Sequence, residues 1–232
     1  MKEKALSYLE KNYLKHVCAI ECLKLDKIKF FYVEDDGVVF LDESNDIYSI
    51  ATDSPDVCLR ATQCLSDVEL LFCHNGYEKE ILSERFGLKG NNQCYQIVWQ
   101  GGKLTLNGTC DIKRLEPSEE NVEFVFNHYT LAYNIEHIRY MMQNIGIFGA
   151  YYKGELAGFI GIHDEHSIGL LEVMPEYRRL GIGTELVKFL VNKNIDDGIT
   201  PFEHIIYTNE KSIAMHKKLG FTFSDSFVYW LY

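Results

Sequence analysis

No run of about 18 apolar residues occurs anywhere in the 232-residue chain, so no membrane-spanning helix is expected. The opening Met1-Lys-Glu-Lys-Ala5 is charged and lacks the apolar core of a secretory leader. The seven cysteines contain no Cys-x-x-Cys spacing, are odd in number and all lie before residue 111. That pattern argues against a zinc site or a disulfide framework. It predicts a reduced, cytoplasmic protein with small buried thiols and no metal. Positive charge is also scarce: 23 Lys and Arg face 34 Asp and Glu, for a net charge of −11. Such a balance argues against a nucleic-acid partner and suits a cationic acceptor such as an amine. What remains is 47% hydrophobic and 13% aromatic, a globular composition of one large or two smaller domains.

The most informative segment is Val173-Met-Pro-Glu-Tyr-Arg178-Arg-Leu-Gly181-Ile-Gly183-Thr184. Ile168-Gly-Leu-Leu-Glu-Val173 before it has strand length, and Leu186, Val187, Leu190 and Val191 after it recur at helical spacing. The segment therefore reads as a strand, a Pro stop and a basic turn opening a helix. Gly181 and Gly183 let backbone N–H groups approach an anion, the helix start adds unpaired donors, and Arg178 and Arg179 add charge. The pattern predicts a phosphate site, set against an ordinary strand-to-helix turn. It lacks the Gly-Lys-Ser/Thr ending of a P-loop and the third glycine of a dinucleotide fingerprint.

A second set of signals lies near the C-terminus. Ile205-Ile-Tyr-Thr-Asn209 reads as a strand, Lys211 to Leu219 as a helix stopped by Gly220, and Phe227 to Tyr232 as a last strand. Arg-x-x-Gly-x-Gly, followed by Asn209, Ser212, His216 and Lys218-Leu-Gly-Phe221, resembles the GNAT superfamily of coenzyme A-dependent N-acyltransferases. Gly198-Ile-Thr-Pro-Phe202 and Tyr229-Trp230-Leu231 bring it nearest to the glycine N-acyltransferase-like branch. The resemblance covers roughly residues 110–232. It implies an α/β (α+β) GNAT fold, a central mixed twisted sheet flanked by helices. It also implies acetyl-CoA as acyl donor. The pantetheine arm would lie along Leu171 to Met174, including Val173, and Arg178, Arg179, Gly181, Ile182, Gly183 and Thr184 would meet the pyrophosphate. Asn209 would bond the pantetheine amide, with Ser212 beside it. Where many members carry a Tyr acid, this chain has His216, which also donates protons; a solvated helix-face His is the other reading.

The first half repeats the second in outline. Val68 to Asn75, Glu78 to Phe86 and Cys94 to Trp99 read as strand, helix and strand, and Ser54-Pro55 opens an earlier helix without glycines. This predicts tandem domains, a degenerate GNAT-like domain at 1–106 without cofactor and a catalytic domain at 107–232, set against an unrelated α/β appendage. Further expectations are one amphipathic helix from Lys4 to Leu25, hairpins about Asp36-Gly37 and Lys153-Gly154, and a linker from Gln100 to Gly108. Helices are expected from Ser118 and over Ile135 to Asn144.

No Ser, Cys or Thr reads as an activated nucleophile, so direct attack of an amine on the thioester is expected. Glu172 is the first candidate base and His163 the second; a paired, non-catalytic Glu172 is the alternative. His163-Asp-Glu-His166 reads as a polar turn rather than a metal site. Tyr129 and Tyr133, with His163, are the expected acceptor contacts. The reading is an N-acetyltransferase for a small-molecule amine or amino acid, monomer or homodimer, with no nucleic-acid or membrane partner. Transfer of a longer acyl group and a non-catalytic acyl-CoA-binding regulator are the alternatives.

Overall fold

The computed structural model describes residues 1–25, 27–131 and 134–232. The chain gathers into two compact units. One joins Met1–Val98 to His204–Tyr232, and the other is Trp99–Glu203. This division differs from a boundary at 106, because the C-terminal segment groups with the N-terminal one.

The first unit opens with α1 (Lys2–Leu9), a 3₁₀ turn at Glu10–Asn12 and α2 (Tyr13–Cys22). The single helix expected over Lys4 to Leu25 is broken at Asn12, whose backbone leaves the helical region (φ −135°, ψ 72°). Its side chain accepts from the Lys15 N–H, so Asn12 restarts the helix as an N-cap. Strands β1 (Ile28–Glu34) and β2 (Gly37–Asp42) form a hairpin through Asp35-Asp36, and β3 (Ile47–Thr52) extends it antiparallel. Ser54 caps α3 (Pro55–Thr62), which crosses over to β4 (Leu71–Cys73), parallel to β3. Only three residues of the expected Val68–Asn75 strand pair as one. Then come α4 (Gly76–Phe86), ended by Gly87 at φ 68°, and β5 (Asn91–Val98). The last strand of the chain, β11 (Thr222–Leu231), starts five positions before the expected Phe227 and bonds antiparallel to β4 on one side and β5 on the other. This double pairing is why the C-terminal segment belongs to the first unit.

In the second unit β6 (Asp111–Arg114), β7 (Ile147–Tyr152), β8 (Glu155–Ile162) and β9 (Ile168–Val173) pair in chain order, all antiparallel. Helices α5 (Glu119–His128) and α6 (Ile135–Asn144) lie between β6 and β7. Ser118 and Asn134 cap them through side-chain oxygens. Helix α7 (Ile182–Asp196) follows β9 and leads to β10 (Phe202–Ile206), whose Glu203 pairs parallel with Ile168. Val122, Ile138, Met142, Ile147 and Phe159 are fully buried in one cluster. Each such side chain contributes about 1.5–3 kcal/mol on burial.

The expected linker is a strap on α7. Lys103 pairs with Asp196 at 2.5 Å, and Leu104 N–H donates to Asn192 Oδ1 at 2.7 Å while Asn192 Nδ2 donates back to the Leu104 carbonyl at 2.8 Å. Lys188 donates to the Thr105 carbonyl and Gly108 N–H to Glu185 Oε1. Residues 185, 188, 192 and 196 recur every three or four positions and so share one helix face.

Candidate functional site

Strand β9 carries an extra residue. Phe159 faces Glu172 and Gly158 faces Val173, yet two positions along β8 Gly161 faces Gly169, three positions back on β9. The surplus is a β-bulge. Leu170 lies within it at φ 48°, its side chain fully buried, a backbone conformation that bulky residues seldom adopt. Beyond the bulge the strands approach closely. A Cβ on Gly158 would stand 2.5 Å from the Glu172 carbonyl oxygen, so only glycine fits there. Before the bulge, a Cβ on Gly169 would stand 2.2 Å from His163 Nε2; the imidazole lies directly on that backbone.

The chain leaves β9 through a 3₁₀ turn at Pro175–Tyr177. Arg178 is extended, Arg179 adopts φ 65° and Gly181 φ 87°, and α7 begins at Ile182. No side chain among the described residues caps this helix. The N–H groups of Ile182, Gly183 and Thr184 are therefore first-turn donors without intrahelical acceptors, behind an exposed Arg179-Leu-Gly181 turn. The sequence-predicted loop residues Arg178, Arg179, Gly181, Ile182, Gly183 and Thr184 thus come together at one helix start with positive dipole. Leu171 and Val173 lie on the strand that feeds it. Thr109 Oγ1 would be 4.0 Å from a Cβ on Gly181. Nearby, burial above all, with Glu185 and Asp111, pushes the Cys110 thiol up to about 11, so it is no nucleophile at neutral pH.

Arg178 turns back on the strand. Its Nε donates to the Val173 carbonyl at 2.9 Å and a terminal nitrogen to Glu172 Oε1 at 3.0 Å. Glu172, expected as the first base, is therefore the partner of this guanidinium.

On the other side of the bulge is a cavity of about 80 Å³. Tyr129, Ile138, Met141, His163 and Leu170 line it, with His137 of α6 at its wall. Asp164 Oδ2 lies 3.6 Å from His137 Nε2, beyond hydrogen-bond length and within ion-pair reach. Two of the three expected acceptor residues, Tyr129 and His163, meet here; Tyr133 lies outside the described residues. The His163–His166 segment is a turn closed by His163 N–H to the Ser167 carbonyl, and no group of three metal-ligating side chains occurs among the described residues. His137 and its link to Asp164 escape sequence reasoning, because they sit 27 positions apart in unrelated patterns.

The C-terminal candidates lie in the first unit. Asn209 caps α8 (Glu210–Leu219), its side chain accepting from the Ser212 N–H at 3.2 Å. His216 is no solvated surface residue: its ring is fully buried, Nδ1 donates to the Ser212 carbonyl at 2.8 Å, and Phe221 meets it edge-on.

That unit also buries a polar cluster. Glu78 accepts from Thr52 N–H and hydroxyl at 2.7 and 2.6 Å and from the His74 and Asn75 N–H groups at 2.8 Å. Burial nevertheless pushes its carboxyl up to about 7. His74 donates from Nδ1 to the Lys15 carbonyl, and His16 likewise to Leu9; the two rings meet edge-on at 4.8 Å. Burial lowers both, His16 to about 4 and His74 well below the usual range.

Residues 111–221 match the acetyltransferase (GNAT) family model. No curated protein matches the chain. Among solved structures, a Drosophila protein is similar over 100% of this chain and 96% of its own, at 18% identity and a TM-score of 0.70. A GCN5-related N-acetyltransferase-like protein from Streptococcus suis covers 99% and 98% at 12% identity and a TM-score of 0.57. A GNAT-family acetyltransferase from Colwellia psychrerythraea covers 98% and 97% at 15% identity and a TM-score of 0.53. The fold is the GNAT fold, mixed α/β with helices about the sheet strands, and the stretch from Asp111 to Phe221 is similar to the GNAT acetyltransferase family.

Proposed function

We propose, from a GNAT match over residues 111–221, that the protein is an acyl-CoA-dependent N-acyltransferase that moves an acetyl or other short acyl group to the primary amine of a small molecule. The observation that carries this reading is the uncapped start of α7 behind the Arg179-Leu-Gly181 turn. First-turn N–H groups, the helix dipole and a cation converge there, the combination a pyrophosphate requires. In this reading Ile182, Gly183, Thr184 and Gly181 offer backbone donors to the pyrophosphate and Arg179 supplies charge. Arg178 fixes the end of β9 through Val173 and Glu172, and the backbone of Leu171 and Val173 meets the pantetheine arm. Acyl-coenzyme A, when bound, supplies the thioester; the chain supplies orientation and proton transfer.

The first half we read as a GNAT-like copy without a cofactor. Its order β3, α3, β4, α4, β5 repeats β9, α7, β10, α8, β11, and its helix α3 starts at Ser54-Pro55 with no glycine. One coenzyme A per chain is therefore expected by calorimetry, in a cytoplasmic monomer or homodimer. Gly183→Asp, which sets a carboxylate against the phosphates, is expected to abolish that binding; two equivalent sites or unchanged affinity would overturn the reading. The ion pair of Glu172 favours a second reading, a coenzyme A-binding protein without transfer. Thiol release from acetyl-CoA with a panel of amines and amino acids separates the two.

A further inference from the structure

We infer that His137, backed by Asp164, is the base that takes the proton from the acceptor amine, and that the acceptor is a small primary amine with an apolar body. This rests on the acyltransferase reading above. The cavity of about 80 Å³ is walled by Leu131, Ile138, Met141 and Leu170, with Tyr129 and two imidazoles as its polar groups. A water needs about 10–15 Å³ on this measure, so the space suits an amine of a few non-hydrogen atoms. No lysine or arginine is among the lining residues, so nothing there recommends a carboxylate-bearing acceptor.

The cavity stands beside the part of β9 that the proposed function gives to the thioester arm. Leu170, in the bulge, is one of its walls, and Leu171 to Val173 continue directly from it. Glu172, on that stretch, is occupied by Arg178 at 3.0 Å. The groups facing His137 across the cavity are His163 and Tyr129, with Asp164 3.6 Å from Nε2. On its own helix, Glu136 and Arg139 are tied to each other, and Arg139 also to Glu119. Asp164 is thus the carboxylate that meets the charge His137 acquires.

An ammonium acceptor gives one proton to the His137 imidazole and becomes a neutral amine. Its nitrogen lone pair forms the N–C bond at the thioester carbonyl carbon, the C–S bond breaks, and its electron pair leaves on sulfur. The second nitrogen proton passes to that thiolate, giving the thiol and the amide, and His137 returns the first proton to solvent. General-base loss costs about 10²–10⁴-fold in rate.

The test measures thiol release from acetyl-CoA with isobutylamine and isoamylamine across pH 5–9, with coenzyme A affinity as the control for folding. His137→Gln is expected to lower kcat about 10²-fold or more, to keep coenzyme A affinity, and to lose the imidazole limb of the kcat/KM profile. Asp164→Asn is expected to keep the limb with a lower plateau. Imidazole added to His137→Ala should restore rate in proportion to its free base. Wild-type rate and profile in His137→Gln, or His137→Ala without rescue, overturn the assignment to His137 alone. Wild-type protein active on amino acids but on neither amine overturns the acceptor class. Coenzyme A binding without thiol release for any acceptor overturns the acyltransferase reading and this inference with it.

Discussion

Two buried imidazoles and one buried carboxyl in the first unit titrate against each other. Burial holds His16 to about 4 and His74 well below the usual range, so the fold binds them neutral. An unfolded His protonates near 6.5. Their contribution is therefore present above about 6.5 and is lost as pH falls toward 4. Glu78 runs the other way: its carboxyl is up at about 7 against about 4.3 unfolded, so its contribution is present in acid and lost as pH rises to 7. Lys15 and Asp53 are the charges nearest this group, and neither reverses the direction of the histidines. Two losses against one gain leave a net decline in stability between pH 6.5 and 4. Urea midpoints across that range are expected to fall, and to fall more steeply in Glu78→Gln, where the offset is gone. A flat profile in the wild type, or an unchanged slope in the variant, would contradict this account.

Helix α7 and its strap show how one element measures another. From Lys103 to Gly108 the chain takes five steps, about 16.5 Å at roughly 3.3 Å each. Between their partners Asp196 and Glu185 lie eleven helical steps, also about 16.5 Å at ~1.5 Å each. The match makes length, not side-chain identity, the critical property. One glycine inserted after Thr105 is expected to break either the Asn192 or the Glu185 bonds, costing about 1–3 kcal/mol. Faster amide exchange at Leu104 or Gly108, read by mass spectrometry, would report it; Leu106→Ser, at an exposed position, is the control expected to change neither. None of this was legible beforehand, since Gly101, Gly102 and Gly108 look like linker and the polar stripe of α7 like a solvated face. What was legible rests on local signals. The span Ile135 to Asn144 was readable as α6, Lys153-Gly154 as the hairpin turn, and Gly220 as the end of α8. The loop from Arg178 to Thr184 was readable for the same reason, its donors being consecutive in sequence. The ties of Arg178 to Glu172, His137 to Asp164 and Gly158 to Glu172 depend on register between strands or helices, which no local pattern encodes. The burial of His216 escaped likewise, because its helix face is covered by Phe221 and its surroundings rather than by solvent.

At the scale of the molecule, the two units are not the two halves of the chain. A fragment beginning at Gly108 keeps the α7 loop, but it takes from β11 both its partners, β4 and β5, and from α7 most of its strap. Two unpaired strand edges with Val228 and Leu231 uncovered invite association. Light scattering is expected to show aggregates, and a monodisperse fragment with wild-type coenzyme A affinity would show instead that residues 108–232 stand alone. The same double pairing carries a temporal meaning. Leu71 pairs with Leu231, 231 − 71 = 160 positions further along the chain. At about 5–20 residues per second, the ribosome needs on the order of ten seconds between releasing β5 and releasing β11. Throughout that interval β4 and β5 wait without the strand that joins them, while every strand of the β6–β9 meander is made within it. Birth order and assembly order thus run opposite ways: β4 and β5 are made before the β6–β9 meander and are joined after it.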